Sequence, residues 1–212
     1  MRIKMNTGSR LAKNLSVRGN AVCGVGCYSA VIEKRDTDET VLKIGTTLDD
    51  PWLGYYQDVI VPLKGNPFLP KINHVREFFD CEDGYYIADM ETLRPTVNTD
   101  LSDLCKEYVC GKVCSSELLS MCALREVENP DKLLSLLDKI IEQTDCFSYE
   151  DAEETLANIS FEDSKFYRMI DLHDSNFMER EDGTLVIIDP WCNIDMSEVE
   201  SLDSWWDEQR HG

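Results

Sequence analysis

Apolar residues recur with helical spacing between Asn129 and Thr144. In NPDKLLSLLDKIIEQT, Leu133, Leu134, Leu137, Ile140 and Ile141 fall at i, i+3, i+4 and i+7 steps, the pattern of one buried helix face. Pro130 and Asp131 mark its start, because a first helical turn has no intrahelical use for the N–H that proline lacks. The first ninety or so residues follow another rhythm. VCGVGCYSAVIE and ETVLKIG carry β-branched runs on either side of KRDTDE, which predicts two strands around a polar turn. LPKINHVREFFD and DGYYIADMETL predict two more, joined by CEDG. Between these pairs, DDPWLGYYQDVIVPL spaces its apolar residues helically behind an Asp50-Pro51 start signal. Later, SYEDAEETLANIS predicts a helix capped by Ser148 with acids in its first turn. FMEREDGTLVIID then predicts a strand, a DG turn and a strand.

The order of sheet, helices and small hairpin makes this an α+β protein. The pattern breaks near Thr92 to Asp103, where LRPTVNTDLSD brings in Pro and Asn, so a boundary is expected there, with one lobe over 1–93 and another over 94–212. A chain of 212 residues is long enough for two small lobes sharing a cleft and too short for two large independent domains.

Charge is unevenly spread within a net of −20. Residues 1–35 hold seven Lys or Arg against one acid, whereas Asp145 to the end holds 19 acids against four bases. The acidic end argues against direct nucleic-acid binding and would attract basic partners, including basic nucleic-acid-binding proteins; plain solubility is the simpler reading. No stretch approaches the ~20 apolar residues that span a bilayer. The opening MRIKMNTGSRLAKN lacks the apolar run of a secretory leader, so the expectation is a cytoplasmic protein. Nine cysteines, an odd number without an export signal, read as reduced thiols. Cys105, Cys110, Cys114 and Cys122 invite a metal reading, but none forms the CxxC pair typical of structural zinc sites.

Three segments carry candidate chemistry. Gly24, Gly26 and Ser29 lie in a G-x-G-x-x-S-x-V run at a predicted strand turn. Glycines there let backbone N–H groups approach phosphates, although turn geometry alone would also explain them. Lys43 sits among apolar neighbours in VLKI; it either points into a cleft to meet phosphates or lies on a solvent face. Asp171-Leu172-His173-Asp174-Ser175-Asn176 is followed by Asp189 at the end of VIID. This spacing supplies a carboxylate to accept a hydroxyl proton, then an amide oxygen and a second carboxylate to hold a cation. Polar surface turns are the alternative.

D-L-H-x-x-N followed by a strand ending in I-D resembles the catalytic loop and metal aspartate of aminoglycoside phosphotransferase-like and other atypical kinases. From about Gly19 to Cys192 the chain more closely resembles the early serine/threonine protein kinases of T-odd short-tailed bacteriophages. The resemblance implies a minimal two-lobed protein kinase-like fold with an antiparallel-sheet N-lobe and a mainly helical C-lobe. It implies ATP and Mg²⁺ as cofactors. It makes Gly24, Gly26 and Ser29 the phosphate loop, Lys43 the phosphate-pairing lysine, Asp171 the catalytic base, and Asn176 and Asp189 the metal ligands. Met90 and Glu91 would belong to the adenine-reading hinge. Host proteins phosphorylated on Ser or Thr would be the partners, in the bacterial cytoplasm.

The chain departs from the general kinase pattern in three places. LGYYQDVIV offers only Gln57 and Asp58 where a helix glutamate usually pairs with the lysine, and Met169-Ile170 precedes Asp171 where His-Arg or His-Gly is common. After Asp189-Pro190 only 22 residues follow, so a full activation segment is not expected. Two other functions fit the same residues: a small-molecule phosphotransferase, and a non-catalytic acidic or kinase-like protein that inhibits a host partner.

Overall fold

The computed structural model describes residues 7–34, 39–47, 50–79, 84–97, 99–145 and 166–195. The expected helix in SYEDAEETLANIS lies outside them, as do Trp205 and Trp206. Within them the chain is a mixed α+β fold with five α-helices and a five-stranded antiparallel sheet. Strands β1 (Val22–Val25), β2 (Ser29–Glu33), β3 (Thr40–Thr46), β4 (Ile72–Phe78) and β5 (Tyr85–Glu91) lie in the order β1-β2-β3-β5-β4. The segment VCGVGCYSAVIE, expected as one strand with a glycine turn, is itself a hairpin. It reverses between Val25 and Ser29, and the Gly26 N–H donates to Ser29 O at 2.8 Å.

Helix α1 (Thr7–Val17) packs on β1 and β2. It was not expected, because its few apolar residues leave a weak periodic signal and only Gly8 is buried. Helix α2 (Pro51–Tyr55) follows β3 and continues through a π-helical stretch, Tyr56–Ile60. Its start matches the expectation: Pro51 opens the first turn, and the Asp50 carboxylate accepts the Trp52 N–H at 3.0 Å.

The segment read as a boundary is helical in its second half. Helix α3 (Thr99–Val109) buries Leu101, Leu104, Cys105 and Tyr108 at i, i+3, i+4 and i+7 steps, a periodicity hidden by Pro95 and Asn98 just upstream. Helix α4 (Ser115–Leu124) and helix α5 (Pro130–Glu142) complete the helical part. On α5 the fully buried face is Leu133, Leu136, Leu137 and Ile140, with Leu134 and Ile141 half-buried beside it. Each such burial contributes about 2 kcal/mol.

Five short strands follow the sheet. Strands β6 (Arg94–Pro95), β8 (Phe177–Glu179) and β9 (Leu185–Ile187) form one sheet, and β7 (Phe166–Ile170) pairs antiparallel with β10 (Trp191–Asp195). The expected DG hairpin is β8–β9, with Gly183 at φ 85°. A continuous buried cluster runs from Tyr86, Ala88 and Met90 through Trp52 and Tyr55 to Leu104, Leu118, Leu137, Phe177 and Trp191. Sheet and helices therefore share a core across position 93. Among the described residues no helix is long and apolar enough to cross a membrane, and the seven cysteines are free thiols.

One contact fixes how β3 meets α2. A Cβ on Gly45 would come within 2.4 Å of the Asp50 carboxylate and 2.6 Å of the Tyr86 ring. Both neighbours are buried and hydrogen-bonded to each other at 2.6 Å, so neither can retreat cheaply. Gly45→Ala is expected to cost about 2 kcal/mol through overpacking, read as a lower urea midpoint with an unchanged slope.

Candidate active site

The three segments singled out in the sequence line one cavity of about 1270 Å³. Its lining includes Gly24, Gly26, Ser29, Lys43, Met90, Glu91, Asp171, Asn176 and Asp189. Sheet residues form one wall, and the loop before β8 and the chain after β9 form the facing one.

Gly24 belongs to β1, Gly26 to the turn, and Ser29 opens β2. Neither glycine has a positive φ. An added Cβ would meet nothing closer than 3.5 Å at Gly24 or 3.4 Å at Gly26, which is ordinary contact. Turn geometry therefore does not demand these glycines, and their bare backbone faces the cavity instead.

Lys43 lies mid-strand on β3 and is only 7% exposed, so the solvent-face reading does not hold. Its Nζ donates to Asp189 Oδ2 at 2.8 Å, across 146 residues of sequence. The same ammonium stands 5.2 Å from the centroid of the Trp52 ring, within cation–π range. Trp52 is fully buried and stacked against Tyr86 and Tyr56 at 5.1 and 5.9 Å. Asp58 is committed elsewhere, to Arg168 at 2.6 Å, and Gln57 is exposed. On this side an aromatic face, not a helix carboxylate, thus stands against Lys43. Sequence reading missed Trp52 because a tryptophan in an apolar helix looks like any core residue.

Asp171 follows β7. Its N–H donates to Pro190 O at 2.8 Å, and its carbonyl accepts from Asn176 Nδ2 at 2.5 Å. Asn176 closes a 3₁₀ turn, Asp174–Asn176, and its own carbonyl accepts from the Ile188 N–H at 3.0 Å. These bonds lock the loop to the chain entering Asp189. His173 Nε2 lies 3.6 Å from Asp171 Oδ2. Burial pushes the Asp171 carboxyl above its usual range, with His173 opposing.

Asp189 lies two residues past the end of β9. Burial pushes its carboxyl up to about 6; the Asp50 and Asp171 carboxylates add to the rise, while Lys43 opposes it. Its Oδ1 is buried with no hydrogen-bond partner. Three carboxylates, Asp50, Asp171 and Asp189, face one ammonium in this region. An orphaned buried carboxylate oxygen in such an excess of negative charge suits a divalent cation, with Asn176 beside it to supply a neutral oxygen. Among the described residues no group of three or more His, Cys, Asp or Glu side chains is arranged to hold a metal ion. Of the four cysteines considered as ligands, Cys105 and Cys122 are buried and Cys110 and Cys114 exposed.

Met90 and Glu91 close the cavity at the end of β5. Met90 is buried. The Glu91 carboxylate is held by Arg180 through Nε at 2.9 Å and a terminal nitrogen at 2.7 Å, and by the Lys71 N–H at 2.8 Å, so any contribution it makes to ligand binding comes from its backbone. Compared with family models and with curated proteins, the chain has no match.

Proposed function

We propose that the chain is a minimal two-lobed, kinase-like phosphotransferase that moves the γ-phosphate of Mg·ATP to Ser or Thr of host proteins, of the type found in T-odd short-tailed phages. The single observation that carries this reading is the Lys43–Asp189 contact inside a cavity that also presents Asp171, Asn176 and a glycine turn. Catalysis would rest on positioning and electrostatics rather than on covalent intermediates. Lys43, steadied by Trp52, holds the phosphates. Asp171 orients the acceptor hydroxyl and takes its proton as the hydroxyl oxygen bonds to the γ-phosphorus and the bond to the β,γ-bridging oxygen breaks, releasing ADP. Asn176 and Asp189 would hold Mg²⁺, which when bound neutralises charge on the phosphates. Burial raises the Asp171 carboxyl, which makes it a stronger base than a solvated aspartate.

The direct test is transfer of labelled γ-phosphate from Mg·ATP to proteins of a bacterial extract, alongside equilibrium binding of the nucleotide. Labelled protein Ser or Thr supports the reading. Label recovered in small alcohols would point to a small-molecule phosphotransferase, binding without transfer to a kinase-like inhibitor, and no binding would remove the proposal.

The ring beneath Lys43 has a separable role. Trp52→Leu is expected to cost about 3 kcal/mol of stability through the cavity it leaves and to weaken Mg·ATP binding further. Trp52→Phe keeps an aromatic face and should keep most of the affinity. Isothermal titration of both variants below their unfolding midpoints separates the two effects.

A further inference from the structure

Glycine is the poorest ordinary helix former, yet it occupies the second position of α1 and is that helix's one buried residue. The reason lies in what it touches. A Cβ at Gly8 would fall 1.8 Å from Gly26 O and 2.6 Å from Ser29 O, both backbone atoms of the glycine turn. The Gly8 N–H, one of the first-turn donors that a helix leaves unpaired, donates to Cys27 O at 2.9 Å. With the Gly26 N–H on Ser29 O at 2.8 Å, the turn is held from outside and closed from within.

We propose that α1 is a clamp on the glycine turn, with Gly8 the positioning residue that sets the turn's backbone for an anionic ligand. In a planar trans peptide the carbonyl of one residue and the N–H of the next point in opposite directions. Because the carbonyls of Gly26 and Cys27 lie against Gly8, the N–H groups of Cys27 and Tyr28 face away from α1. Gly26, Cys27 and Tyr28 all line the cavity. A free glycine-containing turn would sample both peptide orientations and lose that freedom on binding; the clamp removes the choice beforehand. The inference rests on the nucleotide-binding reading and adds α1, outside the cavity's motifs, as the element that prepares its phosphate side.

The test uses the full-length protein with Gly8→Ala, with Asn14→Ala as a control on an exposed position of the same helix, and Mg·ATP as the probe. The overlap of the new Cβ with Gly26 O outweighs the gain in helix propensity, so a merely structural role predicts lower stability with KM for Mg·ATP unchanged in the protein that folds. The clamp predicts that KM and Kd for Mg·ATP rise about tenfold while kcat at saturation stays near that of the unchanged protein, with Asn14→Ala indistinguishable from it. If Gly8→Ala does not fold, Asn14→Pro breaks the helix without touching the contact and should give the same rise, with faster amide exchange at residues 26–28. Unchanged KM in a folded Gly8→Ala protein, or in Asn14→Pro with α1 shown to be open by exchange, overturns the clamp. A wild-type protein that binds no Mg·ATP would instead overturn the functional reading beneath it.

Discussion

Asp171→Asn is expected to cut phosphoryl transfer about a thousandfold while leaving Mg·ATP affinity close to that of the unchanged protein. The separation follows from how the residue is held. Its backbone is fixed at both ends, by its N–H on Pro190 O and by its carbonyl under Asn176 Nδ2, and neither bond involves the carboxylate. The side chain is partly open to the cavity, at 39% exposure, so an amide of equal size fits without repacking. What the amide cannot do is accept the acceptor hydroxyl's proton. Transfer of labelled γ-phosphate, set beside nucleotide binding by titration, reads the two effects independently. Equal labelling by the variant and the unchanged protein would remove Asp171 from the base's role.

Motifs compressed into a few residues were the legible part of this site. Asp171 and Asn176 share one turn, and the apolar run before Asp189 announces a strand end, so their spacing survives in one dimension. The Lys43–Asp189 contact joins residues 146 apart; periodicity carries no trace of it, and only resemblance linked the two. Trp52 and Gly8 left no signal of their own. An aromatic helix residue and a glycine near a helix start each have commoner explanations, and only three-dimensional contact tells them apart from those. In the fold, strands bounded by polar turns and the strongly amphipathic α5 were readable. Helix α1, with one buried residue, takes its stability from the sheet it covers rather than from a periodic face of its own.

The helix after the lysine strand is tied to the cavity by a second device. Arg168 donates to Asp58 at 2.6 Å, lies 4.9 Å from the Trp191 ring, and passes where a Cβ on Gly54 would stand 2.6 Å away. Arg168 is three residues before Asp171, and Trp191 two after Asp189, so the helix leans on the segments that carry Asp171 and Asp189 through one guanidinium. The helix thus makes two contacts toward the cavity: Trp52 under Lys43 and Asp58 on Arg168. A helix start built from Asp50, Pro51 and Trp52 fixes the first of these through local capping.

Lys43→Met is expected to abolish transfer and also to destabilise the metal-free protein by about 3 kcal/mol near pH 8, because it strands a half-buried carboxylate whose Oδ1 is fully buried. The pH dependence identifies the cause. In the folded chain Asp189 is pushed up from 3.8 to about 6, so the stability associated with its protonation is fully present below about pH 4 and lost as pH rises through 6. Lys43 opposes that shift; removing it raises the folded-state value further, so the variant's deficit should grow between pH 5 and pH 8. Adding Asp189→Asn to Lys43→Met removes the charge that was stranded and should recover most of the lost stability across that range without recovering any transfer. Urea unfolding in the presence of a chelator, at both pH values, for the unchanged protein, Lys43→Met, Asp189→Asn and the double variant, measures the cycle. A deficit that does not change with pH, or a double variant no more stable than Lys43→Met, would mean that the contact is incidental to how this site is held together.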